Sequence, residues 1–130
     1  MNNHVSIVPT LSVRNGAAAS EFYKNAFGAT EQMRIESPDG LVVAELAIGQ
    51  ARFFIADESP EHGNLSPLTA GGVTVRMGLF VNNPDTMAAT AVAAGALLLY
   101  PVADQHYGYR LGAIKDPFGH VWEIARKITG

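Results

Sequence analysis

The chain has 130 residues, of which 48% are hydrophobic and 16% are charged. This length and composition are typical of a folded domain with a buried core, and they exclude a disordered chain. The formal net charge is -3, and the nine Lys and Arg residues are scattered from Arg14 to Lys127. Because no basic stripe is present to neutralise a phosphate backbone, we expect no nucleic-acid partner.

The chain also lacks cysteine, which excludes disulfide bonds, thiolate metal sites and thiol nucleophiles. Residues 1–5 do not combine a basic stretch with a long apolar one, as a secretory leader would. The apolar run at 88–100 is interrupted by Thr90 and Gly95 and is too short to span a bilayer. We therefore expect a cytoplasmic protein with no membrane partner.

The first half of the chain predicts one strand, one helix and three further strands. Residues 10–15 predict a strand ending at Asn15, a favourable helix N-cap. Apolar residues then recur at three- and four-residue spacing up to Gly28, which predicts a helix that ends there. Three β-rich runs, at 30–37, 41–48 and 51–57, are separated by turn residues and predict an antiparallel meander.

The same pattern recurs about 68 residues later, after a connector at 58–72 that is rich in Pro and Gly. A strand at 77–83 ends at Asn83, Pro84 takes the favoured first helical position, and Gly95 ends the helix. Further strands are predicted at 96–100, 109–115 and 120–126, with a turn at 116–119. The repeat predicts an α+β protein of two βαβββ modules in a single domain over residues 1–130. Module one covers about 1–57, the connector about 58–72 and module two about 73–130.

Alternation along the strands separates a helix-facing side from an opposite side. The residues predicted to pack under the two helices are Pro9, Leu11, Val13, Val75, Met77, Leu79 and Val81. The opposite side combines small, polar and aromatic residues, among them Thr10, Ser12, Arg76, Gly78 and Phe80. Such a mixture is typical of a cavity wall.

Characteristic motifs occur in both halves of the chain, at 11–15, 21–29, 93–96, 101–105, Tyr107-Gly108, Arg110 and Asp116-Pro117-Phe118-Gly119-His120-Val121-Trp122. Together they resemble the motifs of the vicinal oxygen chelate superfamily, which includes glyoxalases, bleomycin-resistance proteins and extradiol dioxygenases. The resemblance covers nearly the whole chain and points to the metal-poor, PhnB-like branch. It implies two modules whose sheets curl round a cavity, usually within a homodimer.

The resemblance also implies where a metal would be bound. Metal-dependent members take ligands from the first and last strands of each module, which correspond here to Val8, about Phe54, Arg76 and Glu123. Glu123 alone among them could bind a metal, and Arg76 carries a fixed positive charge. Because a catalytic divalent ion normally needs three protein ligands, we expect no metal and no cofactor.

Two interpretations of Arg76 and Glu123 remain open. Arg76 contacts a carboxylate, phosphate or enolate group of a ligand, or it pairs with Glu123 and plugs a vestigial cavity. The loop at 104–110 has two interpretations as well. Tyr107 stacks on a ligand to which His106 or Arg110 bonds, or the loop is structural and Arg110 pairs with Asp104 or Asp116.

Two aromatic side chains near the C-terminus are expected to be structural. We expect His120 to cap its turn or to hydrogen-bond to it, and Trp122 to lie on the helix-packed side or in a dimer interface.

These features favour a protein that binds a small aromatic or acidic molecule in a metal-free cavity, as a homodimer. The candidate ligand-binding residues are Thr10, Ser12, Phe54, Arg76, Phe80, His106, Tyr107, Arg110 and Glu123. The alternative is a lyase, isomerase or dioxygenase of the same superfamily, either metal-dependent or using Glu123 as an acid or base. Glu123 is then the one catalytic candidate. A protein-interaction module is a third possibility, but no charged run or apolar stripe favours it.

Overall fold

A computed structural model describes residues 4–128 of the chain. The ends of the expected domain, residues 1–3 and 129–130, lie outside the described residues. The elements in chain order are β1 (Thr10–Val13), α1 (Gly16–Phe27), β2 (Thr30–Glu36), β3 (Val42–Ile48), β4 (Ala51–Asp57), α2 (Pro67–Ala70), β5 (Met77–Phe80), α3 (Pro84–Ala94), β6 (Leu97–Asp104), β7 (Tyr109–Lys115) and β8 (Val121–Lys127). Within residues 4–128, no helix has the length and apolar character needed to cross a membrane.

The strands form two four-stranded sheets, in the orders β1-β4-β3-β2 and β5-β8-β7-β6. In each sheet the first strand runs parallel to the last, and the remaining neighbours are antiparallel. The predicted α+β class and the repeated βαβββ module are therefore confirmed.

Both long helices begin and end at the residues that the sequence predicts. The Asn15 side chain accepts a hydrogen bond from the Ala18 backbone N–H at 3.0 Å, and Asn83 accepts one from Thr86 at 3.1 Å. Gly28 follows α1 in the left-handed region at φ 68°, where a side chain would be strained. These caps satisfy backbone groups that a helix end otherwise leaves without partners.

The two helices and the helix-facing sides of both sheets share one core. The Trp122 ring, from β8, lies 4.8 Å from the Phe27 ring of α1 and 5.5 Å from the Phe53 ring of β4, measured between centroids. Phe22 and Phe118 make a further contact between the modules at 6.1 Å. Trp122 is thus on the helix-packed side, and the other side of each sheet, its outer face, points away from this core.

A buried carboxylate connects the two modules at the edge of this core. Asp116 is 3% exposed and accepts hydrogen bonds from the Tyr23 hydroxyl, the Trp122 indole N–H at 2.9 Å, and the backbone N–H groups of Phe118 and His120. Burial, followed by the charge of Asp116, raises the pKa of Tyr23 well above its usual range. Tyr23 therefore stays protonated and donates its hydroxyl proton to Asp116.

Some details differ from the sequence predictions, including the ends of β1 and β5, which stop two and three residues before the predicted ends at Asn15 and Asn83. Val75 is 66% exposed because β5 begins only at Met77, so its expected packing under α3 is wrong. Strand β6 continues past Tyr100 to Asp104, with register irregularities on both sides of Tyr100. The connector contains the short helix α2, whose N-cap Ser66 accepts a hydrogen bond from the Thr69 N–H at 3.3 Å.

Candidate functional site

One row of residues crosses all four strands of the second sheet on its outer face. Gly78 of β5 pairs with Glu123 of β8, which pairs with Ala113 of β7, which pairs with Tyr100 of β6. Arg76 immediately precedes β5 and Phe80 ends it, and both lie on the same side as Gly78 by alternation. We call this surface the Arg76–Glu123 face.

Three polar side chains meet on this face. The Tyr100 hydroxyl donates a hydrogen bond to Glu123 Oε2 at 3.2 Å, and Arg76 Nε lies 3.8 Å from the same oxygen. Burial, then the negative charge of Glu123, raise the pKa of Tyr100, so its hydroxyl remains a donor at neutral pH. The Arg76 side chain is 69% exposed and that of Glu123 is 25% exposed, so the guanidinium is the more accessible of the two charges.

Aromatic rings occupy the other end of the same face. The Phe80 ring is 5.8 Å from Tyr109, Tyr109 is 6.1 Å from Tyr107, and Tyr107 is 5.1 Å from His106. Phe80 is 62% exposed, which is unusual for an aromatic side chain in a sheet.

Gly78 leaves the surface bare between the charged pair and Phe80. A Cβ added at Gly78 would meet only the Phe80 ring, at an ordinary contact distance of 3.6 Å, and the backbone there is not in the left-handed region. The glycine is therefore not required by the strand conformation, and the space above it is open.

Arg110 lies on the helix-facing side, apart from this face. Its guanidinium donates two hydrogen bonds to Asp85, at 2.8 and 2.7 Å, and one to Asp104 at 3.0 Å. The hydrogen bonds from Arg110 lower the pKa of Asp85. The hydrogen bonds that Arg110 makes with Asp85 and Asp104 raise the pKa of Arg110. The ion pair with Asp104 is the structural interpretation that the sequence left open. Asp85 was missed as a partner, although its position in the first turn of α3 marks it as a carboxylate near the helix start.

The remaining candidates lie on the outer face of the first sheet. Thr10 pairs with Phe54, and Ser12 lies two residues further along β1. Phe54 also pairs with Glu45, whose carboxylate forms an ion pair with Arg52 at 2.5 Å. Sequence reasoning missed the Glu45–Arg52 pair, although alternation along the β3–β4 hairpin puts both on the side of Phe54. The structure therefore divides the nine candidates between the first sheet and the second sheet with its adjoining residues, with His106 and Tyr107 in the turn between β6 and β7.

The part of the chain from residue 4 to 128 contains no group of three His, Asp or Glu side chains that could hold a metal ion. Of the four positions matched to metal ligands, Arg76 and Glu123 are adjacent, and Val8 and Phe54 have no ligand atoms. These residues do not fit a metal site, and we assign no chemical step to a metal.

A separate cavity of about 440 Å³ lies between β1, the connector and the start of β5. Its lining includes Thr10, Pro67, Met77 and His120 and is mostly apolar. The His120 ring Nε2 lies 2.9 Å from the Ser12 carbonyl oxygen, so the side chain bonds to β1. The ring therefore does not cap its own turn, but the His120 backbone N–H does bond to that turn, donating to Asp116 Oδ1 at 3.0 Å.

Comparison with known proteins identifies the family. The model of the Glyoxalase/Bleomycin resistance protein/Dioxygenase superfamily matches residues 3–124. An uncharacterised protein of Mycobacterium bovis is 33% identical over 132 aligned positions, which cover 98% of this chain and 87% of that protein.

Solved structures agree with this fold. A glyoxalase-related enzyme from Fulvimarina pelagi superposes with a TM-score of 0.74 at 22% identity, covering 94% of this chain and 88% of the other. TioX from Micromonospora sp. ML1 gives a TM-score of 0.71 at 23% identity, covering 97% and 98%. With the family match over most of the chain and two βαβββ modules in the structure, the chain belongs to the glyoxalase/bleomycin resistance protein/dioxygenase superfamily.

Proposed function

We propose that the protein binds a small organic molecule on the Arg76–Glu123 face, without a metal, as a cytoplasmic homodimer of the metal-poor, PhnB-like branch. The observation that carries this proposal is the composition of the face: a loosely paired Arg and Glu, a bare glycine and exposed aromatic rings. Specific ligand sites usually combine a few polar groups with apolar walls in this way.

The exposure of this face supports the homodimer. Ligand pockets generally bury most of their ligand, whereas Phe80 and Arg76 are largely exposed in one copy of the chain. The first sheet has an outer face of similar chemistry, with Phe54 beside the Glu45–Arg52 pair. A second copy covering the Arg76–Glu123 face would enclose the ligand.

Native mass spectrometry tests the proposal on protein purified from cells grown with added zinc, nickel, iron and manganese. We expect a metal-free dimer that carries an extra organic mass. Gly78→Val should remove that mass while leaving the fold intact, because valine favours strands and its Cβ has room. Gly78→Ala, which fills less of the space, is the matched control and should retain more of the bound mass. One tightly held metal per subunit would contradict the proposal.

The hydrogen bond between Tyr100 and Glu123 supports an enzyme of the same superfamily as a second candidate. The Tyr100 hydroxyl is a proton donor next to the Glu123 carboxylate, and acid–base catalysis without a metal would need such a neighbouring group. If the organic mass proves to be a substrate, Glu123→Gln should abolish its turnover while the bound mass remains visible. Equal turnover by this variant would exclude Glu123 as the acid or base.

A further inference from the structure

We propose that the Arg76–Glu123 face selects a planar aromatic compound bearing adjacent acid and amine groups, of which a free aromatic α-amino acid is the simplest member. This inference rests on the proposed function and adds to it the chemical class of the ligand.

The two opposite charges that meet on the face, Arg76 and Glu123, favour a ligand head group whose own charges sum to zero. Arg76 and Glu123 carry opposite charges, so a ligand with only a carboxylate would approach Arg76 and also meet the negative charge of Glu123. A ligand with only an amine would meet the reverse problem. A head group with both a carboxylate and an ammonium group can place the carboxylate at Arg76 and the ammonium at Glu123. The pair of opposite charges thereby discriminates against ligands that carry only one of the two groups.

The geometry of the pair leaves both groups available. Arg76 Nε is 3.8 Å from Glu123 Oε2, whereas Arg110 lies 2.7 to 3.0 Å from its two carboxylates. In the described part of the chain, the hydrogen bond from Tyr100 and the ion pair with Arg76 both involve the same oxygen of Glu123, Oε2. The second oxygen of Glu123 is then free to accept from an ammonium group, while Arg76 donates to a carboxylate.

The aromatic part of the ligand follows from Gly78 and its neighbours. A flat ring resting on the bare strand at Gly78 would touch Phe80, whose ring is the one group within reach of a Cβ there. Tyr109 and Tyr107 extend the aromatic surface beyond Phe80. Ring packing of this kind favours an aromatic ligand over an aliphatic one with the same head group.

Isothermal titration calorimetry with four probes tests the head group and the ring separately. Tryptophan, indole-3-propionate and tryptamine share one ring system and differ in their charges, and leucine has the head group without the ring. We expect tryptophan to bind roughly tenfold or more tightly than each of the other three, because each lacks a charged hydrogen bond or the ring contact.

Single substitutions assign each preference to a residue. Arg76→Gln should remove the advantage of tryptophan over tryptamine, and Glu123→Gln its advantage over indole-3-propionate. Arg126→Gln is the matched control, since Arg126 is on the same strand as Glu123 but at a position of opposite parity. It should leave both preferences unchanged.

The outcomes separate this inference from the proposed function. Equal binding of tryptophan and either singly charged probe to the unsubstituted protein would overturn the dipolar head group. If none of the probes binds but a co-purified mass is still lost in Gly78→Val, the ligand class is wrong and the proposed site stands. If no probe binds and no co-purified mass is lost in Gly78→Val, both the ligand class and the proposed function are wrong.

Discussion

At the scale of single residues, a hydrogen bond from Tyr23 to the buried Asp116 connects the two modules. The Tyr23 hydroxyl comes from α1 of the first module, and the other three donors come from the second. A buried carboxylate is costly unless its oxygens are bonded, so each donor matters more than a surface hydrogen bond would.

Tyr23→Phe removes one of these donors and should lower the free energy of unfolding by about 1–3 kcal/mol. Urea unfolding at neutral pH measures the loss. Tyr107→Phe is the control because the Tyr107 side chain is exposed, and it should cause little change. An equal loss in both variants would show that the hydroxyl of Tyr23 has no special role.

The raised pKa of Tyr23 also predicts how stability depends on alkaline pH. Below the ordinary tyrosine pKa of about 10, both folded and unfolded chains keep the proton, and the shift has no effect on the pH dependence. As pH rises above it, the unfolded chain loses the proton while the buried Tyr23 retains it, so stability falls. Stability should fall less steeply with pH in Tyr23→Phe. Part of the fall should persist in this variant because the pKa of Tyr100 is also raised. Identical slopes in urea titrations at pH 9 to 11 would contradict this.

Strand alternation predicts some neighbours and not others. Arg76 and Glu123 could be expected to lie side by side from the resemblance, which places both at positions that bind one metal ion in metal-dependent members. Tyr100 could not be placed beside Glu123, since the irregular register around Pro101 breaks the alternation along β6. The partner of Arg110 at Asp85 depends on how α3 packs against β7, which no local pattern specifies.

At the scale of elements, the two helix starts are set by equivalent side chains. Asn15 and Asn83 occupy the same place in the two modules, and each accepts a backbone hydrogen bond from the third residue after it. The repeated local signal explains why the starts of both long helices could be predicted.

Asn15→Ala and Asn83→Ala should each lower the free energy of unfolding by about 1 kcal/mol, because each removes an N-cap acceptor. Asn25→Ala is a matched control within α1, where alanine is the better helix former, and it should be neutral or slightly stabilising. Chemical denaturation of the three variants measures these differences. Equal effects at Asn15 and Asn25 would show that capping is not the cause.

Strands β3, β4, β7 and β8 begin and end within one residue of their predicted bounds, because turn residues mark their ends. The helix α2 was missed even though Ser66 followed by Pro67 is a typical helix start. Its four residues are too few to show an apolar period, and the Gly residues around it favour a loop.

At the scale of the whole molecule, the repeat predicts two similar modules but not which of their surfaces join. Each sheet has two faces, and alternation alone does not say which face meets the other module. The contacts of Trp122 with Phe27 and Phe53 show that the helix-facing sides meet.

This shared core predicts that the modules unfold together, as the single domain expected from the sequence would. Fluorescence of Trp122, the one tryptophan, reports the junction, and far-UV circular dichroism reports the strands and helices of both modules. The two urea transitions should coincide at one midpoint. A fluorescence change that precedes the loss of secondary structure would show that the modules separate first.

The separation of each sheet into an inner and an outer face has a consequence for how such a protein evolves. Substitutions on the inner face disturb a core to which both modules contribute, so selection for folding restricts them. Gly78 and Arg76 lie on the outer face, where the space is open or the side chain exposed, and substitutions there cost little stability. Ligand preference in a duplicated fold of this kind can therefore diverge between lineages through a few outer-face replacements, while the hydrophobic residues that join the two halves are retained.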